Sequence, residues 1–137
     1  MSRNEDAIIH LNWAREAEKQ QDYLRTRMEY LKCVESLKQA GDNVELEKAT
    51  KEYESFVKRD PIFKVLLNGL LPIIKSNPGI LQSDITKNAT ALDWALLYNY
   101  NREIAKGDIC YALYFGDKFG LIQRIKKGRT YELYPKE

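Results

Sequence analysis

The segment Leu121-Ile122-Gln123-Arg124-Ile125-Lys126-Lys127-Gly128-Arg129-Thr130-Tyr131-Glu132-Leu133-Tyr134 decides the fold of the C-terminal half. Residues 121–125 and 130–134 each alternate apolar and polar side chains, which is typical of a strand with one buried face. Gly128 lies between them and permits the positive φ that a tight turn requires. The segment therefore predicts a β-hairpin with a cationic tip. A basic turn of this kind either contacts phosphates or simply protects the edge of a sheet from pairing.

A helix is predicted immediately before this hairpin, from about Gly107 to Phe119. Gly120 is the residue type at which helices commonly end, and Asp108 lies in the first turn, where the helix dipole favours a carboxylate. The side chains expected to point inward are those of Ile109, Ala112, Leu113 and Phe119. Those expected on the remaining face are Cys110, Tyr111, Tyr114, Phe115 and Lys118.

Two further elements are predicted upstream of that helix. A strongly apolar segment begins at Pro61, and Pro72 within it lacks the N–H of a helical hydrogen bond, so the helix either kinks or restarts there. Asn77-Pro78-Gly79 then predicts a turn. We expect Ile80-Leu81 to anchor a short second helix that carries Ser83-Asp84-Ile85.

The turn Asn77-Pro78-Gly79-Ile80, the helix at 107–119 and the basic hairpin together resemble the winged helix-turn-helix proteins, most of which are transcription regulators. The resemblance covers residues 61–137 and implies a third helix that enters a DNA groove beside a β-hairpin wing. The chain departs from the family at residues 88–106, which separate the second and third helices. Because Trp94 to Tyr98 has helical spacing, we expect an extended or added helix there that widens a dimer contact.

The third helix is poor in Arg, Lys, Asn and Gln, the side chains suited to reading base edges. Tyr111, Tyr114 and Lys118 can contact phosphates or a thymine methyl group, and Arg102 just upstream can add a polar contact. The same tyrosine-rich helix also suits a protein interface, if Tyr111, Tyr114 and Phe115 are exposed.

The first 60 residues predict two or three helices, since apolar residues recur at helical spacing with breaks near Gln21-Asp22 and at Gly41-Asp42-Asn43. Pro61 disfavours a helical conformation at Asp60 and ends the segment. The pattern Ala14…Ala17…Asp22-Tyr23…Tyr30…Val34-Glu35 weakly resembles the helical hairpin of tetratricopeptide repeats or the three-helix MIT domain. No second copy follows at a repeat period, so we favour a dimerising or capping hairpin over a peptide-binding groove.

Charge is distributed unevenly along the 137 residues. Residues 1–60 hold 11 Lys+Arg and 13 Asp+Glu, a net −2, whereas residues 61–137 hold 11 and 7, a net +4. The basic excess therefore lies in the half that resembles a nucleic-acid module, as phosphate binding requires. With 44% apolar residues the chain can build a core, and no run of about 18 apolar residues predicts a membrane span.

Few side chains suit catalysis or metal binding. His10 is the only histidine, and Cys33 and Cys110 form no CxxC pair, which favours a reducing cytoplasm and two buried thiols. Residues 1–6 are polar and do not look like a signal peptide. We therefore expect a cytoplasmic protein that is not an enzyme and that uses no metal and no cofactor.

The sequence as a whole predicts a mainly α (α+β) protein, with a helical hairpin or three-helix segment at 1–60 and a winged-helix module at 61–137. The expected function is sequence-dependent binding of double-stranded DNA in transcriptional control, as a homodimer. The alternative is a protein-interaction adaptor that does not bind DNA. The residues expected to contact DNA are Arg102, Lys106, Tyr111, Tyr114, Lys118, Arg124, Lys126, Lys127 and Arg129. Those expected at a dimer or partner interface are Trp13, Trp94, Leu97 and Tyr98.

Overall fold

A computed structural model describes residues 3–89 and 105–136, and the chain divides into two compact units, Met1–Pro61 and Ile62–Glu137. The fold is mainly helical, with a small three-stranded antiparallel sheet near the C-terminus. The elements are α1 (Arg3–Lys19), α2 (Tyr23–Ala40), α3 (Asn43–Arg59), α4 (Pro61–Ser76), β1 (Ile80–Leu81), α5 (Gln82–Ala89), α6 (Lys106–Lys118), β2 (Ile122–Lys127) and β3 (Thr130–Pro135). Among these helices none is long and apolar enough to cross a bilayer.

The N-terminal unit contains three helices, and both predicted breaks are confirmed. The carboxylates of Asp22 and Asp42 cap α2 and α3, since each accepts a hydrogen bond from a first-turn backbone N–H, at 3.2 Å and 3.1 Å. The residue before each cap is left-handed, with φ 61° at Gln21 and 72° at Gly41. Both turns therefore consist of a left-handed residue followed by an aspartate cap, but only the second has a glycine at the left-handed position.

Small residues on α1 let this helix lie close to its neighbours. Ala7, Ala14 and Ala17 are all buried, and Ala7 belongs to an apolar cluster with Cys33 and Ala49. Burial raises the pKa of the Cys33 thiol to about 11, so this cysteine is the buried, unreactive residue that the sequence predicts.

Aromatic rings fill the space between α2 and α3. The ring of Tyr30 stacks on those of Tyr53 and Phe56, with centroids 5.5 Å and 5.6 Å apart. All three side chains are buried. The small residues on α1 and the large rings on α2 and α3 together make the core of this unit.

Two bidentate ion pairs join α1 to α3. Arg15 donates to both carboxylate oxygens of Glu52, at 2.9 Å and 2.7 Å, and Arg59 donates to both of Glu18, at 2.9 Å each. The hydroxyl of Tyr30 also donates to Glu52, at 2.9 Å. Arg15 and Glu52 also line a groove that residues of α1, α2 and α3 form.

The groove has a volume of about 330 Å³ and a largely apolar wall. Leu11 of α1, Leu37 of α2 and Ala49 of α3 are among the residues that line it, and Asn4 and Lys48 are among the polar ones. The groove lies within the N-terminal unit and is formed by residues of all three of its helices.

Pro61 separates the two helical segments as predicted. Asp60 is extended, with φ −65° and ψ 115°, because a following proline disfavours the helical region. Helix α4 then runs continuously from Pro61 to Ser76 with Pro72 inside it, so no new helix begins at Pro72. Six apolar residues of α4 are buried and form one wall of the C-terminal core: Ile62, Phe63, Leu66, Leu67, Leu70 and Ile74.

The prediction that Ile80 and Leu81 begin a helix is wrong. They form strand β1, which pairs antiparallel with β3 at Leu133 and Glu132, and α5 begins only at Gln82. The backbone N–H of Gly79 donates to the Leu133 carbonyl at 2.8 Å, so the turn leads directly into this pairing. The sheet order is therefore β1-β3-β2.

The predicted hairpin is present, and its strands are slightly longer than the sequence indicates. Strand β2 pairs with β3 from Ile122 opposite Pro135 to Lys127 opposite Thr130. Gly128 has φ 60° and, with Arg129, makes a two-residue turn. Glycine at the first central position of such a turn matches the twist of the strands.

Candidate nucleic-acid interface

Helix α6 exposes one narrow stripe, which consists of Lys106, Cys110, Tyr114 and Lys118. These residues lie four apart, so they follow one side of the helix and span about 18 Å along its axis. The backbone N–H of Ala105 donates to the buried Asp108 carboxylate at 2.9 Å, which fixes the first turn. The helix therefore presents a cation at each end of the stripe and an aromatic ring between them.

Most of the remaining positions of α6 are buried. The observed exposure corrects the sequence prediction for three residues of this helix. Tyr111 and Phe115 are buried, and the ring of Tyr111 packs against those of Phe63 and Phe115 at 6.1 Å and 5.4 Å. Tyr111 therefore contributes to the core and is not available to DNA. Cys110, in contrast, was expected to be buried and is exposed.

The hairpin has an inner and an outer face, which the strand register defines. Arg124 lies opposite Leu133 and Lys126 opposite Tyr131, and residues directly opposite each other point to the same side. Leu133 is buried, so this is the inner face, which packs on the helices. The outer face carries Ile125, which is 44% exposed.

Arg124 lies at the point where α5, α6 and the hairpin meet. Its side chain is only 10% exposed. The guanidinium donates from Nε to Asp117 Oδ2 at 3.3 Å and from Nη1 to Gln82 Oε1 at 3.4 Å, and its backbone N–H also donates to Asp117, at 3.4 Å. An arginine held in this way is shielded and largely neutralised, so the prediction that Arg124 grips the DNA backbone is not supported by its position.

The Arg124 guanidinium also contacts two aromatic rings. Its Cζ is 4.2 Å from the ring centroid of Tyr131 and 5.5 Å from that of Tyr114. Beyond these rings, Lys126 Nζ lies 4.8 Å from the Tyr131 centroid and Lys118 Nζ lies 5.9 Å from the Tyr114 centroid. Cations and rings thus alternate from α6 to the hairpin in the order Lys118, Tyr114, Arg124, Tyr131, Lys126. We call this set the cation–aromatic row.

The tip of the hairpin extends this row with exposed charge. Lys126, Lys127 and Arg129 are all exposed. None of the three forms an ion pair with a carboxylate in residues 3–89 and 105–136. Glu132 lies on the outer face, where it accepts a hydrogen bond from the Tyr134 hydroxyl at 3.1 Å. Glu132 is thus engaged by Tyr134, and the three cations form no ion pair among the described residues, so the tip keeps its positive charge available to a ligand.

The structure brings together most of the residues predicted to contact DNA. Lys106, Tyr114 and Lys118 lie on the stripe, and Lys126, Lys127 and Arg129 lie at or beside the tip. Arg102, Trp94, Leu97 and Tyr98 fall outside the described residues. Trp13, predicted at a dimer or partner interface, is 48% exposed on α1, and its ring meets that of His10 edge-on at 5.4 Å.

Sequence reasoning missed the roles of Tyr131, Asp117 and Gln82. One signal was available for Tyr131: a two-residue turn at Gly128-Arg129 places residue 126 opposite residue 131, which pairs a lysine with a tyrosine on one face. No comparable signal exists for Asp117 and Gln82, since their contact with Arg124 depends on how two helices pack against the sheet.

The described ranges contain few side chains suited to a metal site or to catalysis by histidine. No group of three His, Cys, Asp or Glu side chains there is placed to hold a metal ion. His10 Nδ1 lies 2.8 Å from Glu29 Oε2, within hydrogen-bond distance, so this histidine is engaged within the N-terminal unit.

Comparison of the chain with protein-family models, with curated proteins and with solved structures finds no match.

Proposed function

We propose that the C-terminal unit is a winged-helix module that binds double-stranded DNA through the exposed stripe of α6 and the tip of the hairpin. The observation that carries this proposal is the cation–aromatic row, which has an exposed lysine at each end and continues into the exposed cations of the hairpin tip. Arg124 at the centre of the row is shielded and adds no exposed charge. Phosphate groups are the ligands that such cations recognise, and a hairpin tip fits beside a groove.

The arrangement of the elements supports this assignment. Among the described residues of this unit, the helices α4, α5 and α6 precede a hairpin, and its strand β3 pairs back to the short strand β1 and so is central in the sheet. The last helix presents one exposed side next to that hairpin, which is the placement that a groove-binding helix and a flanking wing require. The basic excess of residues 61–137 agrees with this role.

The composition of the stripe indicates how DNA is bound. Lys106 and Lys118 lie about 18 Å apart along the helix, far enough to reach phosphates on both sides of a groove about 12 Å wide. Helix α6 contains no Arg, Asn or Gln, so it offers few of the bidentate pairs that discriminate bases most strongly. We therefore infer that backbone contacts supply most of the affinity, with Tyr114 as the main group facing the bases.

A regulator built on this module would act as a homodimer, because one small module contacts little DNA and two-fold symmetry doubles the site. The exposed Trp13 is a candidate contact in the N-terminal unit. The contribution predicted for Trp94, Leu97 and Tyr98 stays a prediction.

A second candidate function is supported by a different face of the hairpin. Leu121 and Ile125 are 45% and 44% exposed, so the outer side of the sheet offers apolar surface to a protein partner. In this alternative the winged-helix module is an adaptor, and binding would be insensitive to salt because it depends on apolar contact.

Fluorescence anisotropy of a labelled random duplex tests the proposal. Wild-type protein should bind at low salt and weaken steeply as salt rises, and the variant Lys126→Ala/Lys127→Ala/Arg129→Ala should bind more weakly at every salt concentration. The variant Ile125→Ser changes the outer face without changing the charge, and it should bind as the wild type does. Absence of duplex binding by the wild type at low salt would rule out the proposal and favour the adaptor.

A further inference from the structure

Arg124 differs from the other cations of the hairpin in what surrounds it. Lys127 and Arg129 are exposed and unpaired among the described residues, whereas the Arg124 side chain is 10% exposed and lies against Asp117. A phosphate cannot approach this guanidinium without displacing a carboxylate and two rings. Its function therefore has to be sought in what it connects.

Arg124 lies on β2, and its side chain contacts two helices and one further strand. The guanidinium bonds to Asp117 of α6 and to Gln82 of α5, and it stacks on Tyr131 of β3. In turn, Gln82 Nε2 lies 3.7 Å from Cys110 Sγ on the exposed stripe. One side chain thus contacts the groove-facing helix, its supporting helix and the strand that leads away from the hairpin tip.

We propose that Arg124 is the positioning residue that joins the exposed stripe of α6 and the hairpin tip into a single DNA-binding surface. This inference rests on the proposed function. The planar guanidinium suits this role because it donates in two directions in its plane while both of its faces remain free to stack on rings. A lysine at the same position keeps the charge and can still pair with Asp117, but it cannot reach Gln82 at the same time or offer a planar cation to the rings of Tyr114 and Tyr131.

The two functions of an arginine, positioning and phosphate contact, predict different results for a charge-conserving change. If Arg124 positions the hairpin, Arg124→Lys should weaken duplex binding by about fivefold or more, the order of one lost phosphate contact, and should leave the slope of log K against log salt unchanged. Arg129→Lys is the matched control, since it makes the same change at an exposed tip position. It should keep wild-type affinity and slope.

Two further variants show how the slope of log K against log salt responds to the loss of one phosphate contact and to a change that conserves net charge. Arg129→Gln should lower the slope by roughly 0.9, because one phosphate contact is lost. The double variant Arg124→Gln/Asp117→Asn removes one positive and one negative charge, so the net charge is conserved. It should weaken binding as Arg124→Lys does, again without a change of slope.

Amide hydrogen exchange provides a readout that does not require DNA. The amides of β2 and β3 should exchange faster in Arg124→Lys than in the wild type or in Arg129→Lys, while those of α4 stay protected. This pattern would show that the hairpin is held less firmly and that the core remains folded.

The combined outcomes decide the inference. Wild-type affinity in Arg124→Lys, or a slope that falls in Arg124→Gln/Asp117→Asn as in Arg129→Gln, would overturn it while leaving the proposed function intact. If the wild type binds no duplex, the proposed function fails, and the exchange data alone decide whether Arg124 holds the hairpin. Equal exchange in Arg124→Lys and Arg129→Lys would then overturn the positioning role as well.

Discussion

The arginines between the N-terminal helices and the cations at the hairpin tip have opposite surroundings. In the N-terminal unit Arg15 and Arg59 each form a bidentate pair with a glutamate on another helix. In the C-terminal unit Lys127 and Arg129 project from a turn and meet no carboxylate among the described residues. The difference shows that a cation's role depends on what its backbone position brings near it. Paired cations hold helices together, and unpaired cations remain available to an anionic ligand.

Two double variants with the same charge change should separate these roles most clearly. Lys127→Ala/Arg129→Ala should weaken duplex binding on the order of tenfold or more and lower the salt slope by roughly 1.8, since two phosphate contacts are lost. Arg15→Ala/Arg59→Ala also removes two positive charges, but it should bind with a wild-type slope. Anisotropy titrations at several salt concentrations check this, and equal losses in the two variants would mean that net charge alone governs binding.

Thermal or urea unfolding of the same variants should give the reverse order. Arg15→Ala/Arg59→Ala should lose about 1–2 kcal/mol of stability, because two bidentate pairs between α1 and α3 are removed; these pairs are partly exposed, so solvent screening reduces the effect. Lys127→Ala/Arg129→Ala should unfold within about 0.5 kcal/mol of the wild type, as exposed substitutions usually do. A tip variant that is clearly destabilised would contradict the view that the tip cations serve a ligand.

The turns provide a smaller contrast between the units. At its hairpin turn the C-terminal unit places a glycine, Gly128 at φ 60°, whereas the first turn of the N-terminal unit places Gln21 at φ 61°. Because a left-handed conformation costs a non-glycine residue about 1 kcal/mol, Gln21→Gly should stabilise the protein by up to that amount and Gly128→Ala should destabilise it similarly. Urea unfolding measures both, and a destabilised Gln21→Gly would show that the glutamine side chain makes a contact that outweighs the strain.

The smallest expected effect is a pH dependence that comes from the N-terminal pairs. The two hydrogen bonds from Arg15 hold the pKa of Glu52 below its ordinary value, and the Tyr30 hydroxyl acts in the same direction. Glu52 therefore contributes stability above its unfolded pKa, and this contribution is lost as the pH falls through the lower folded value.

Glu52→Gln tests this sign directly. The difference in unfolding free energy between wild type and variant should be constant above about pH 5 and shrink below about pH 4, where the wild-type carboxylate becomes protonated. Because Glu52 is partly exposed, the contribution of this pair should be less than about 1 kcal/mol. Urea unfolding between pH 3 and pH 7 checks it, and a difference that grows on acidification would contradict the assignment.

Much of the fold follows from local patterns in the sequence. Helical periodicity, the two breaks and the residue before Pro61 predict two or three helices in the first 60 residues, and the structure has three. The alternation around Gly128 predicts the hairpin, which is present. Strand β1 could not be predicted in this way, because a two-residue strand has no periodicity of its own. Its conformation depends on pairing with Leu133 and Glu132, more than 50 residues further along the chain.

The candidate site was predictable in its exposed part only. The tip cations follow from the turn, but which side of α6 is exposed depends on α4 and the sheet covering the rest of the helix. This covering buries Tyr111 and leaves Tyr114 46% exposed. Likewise the sequence indicates only that Arg124 is a cation on a strand. Its contacts with Asp117 and Gln82 depend on how α6 and α5 pack against the hairpin.

Backbone chemical-shift mapping by NMR, with an unlabelled duplex added to isotope-labelled protein, tests the central claim most directly. If the stripe and the tip bind the duplex, the shifts should concentrate at Lys106, Cys110, Tyr114 and Lys118 and at residues 126–130, with the N-terminal unit unchanged. Shifts confined to the N-terminal unit, or to the outer face around Ile125, would contradict it.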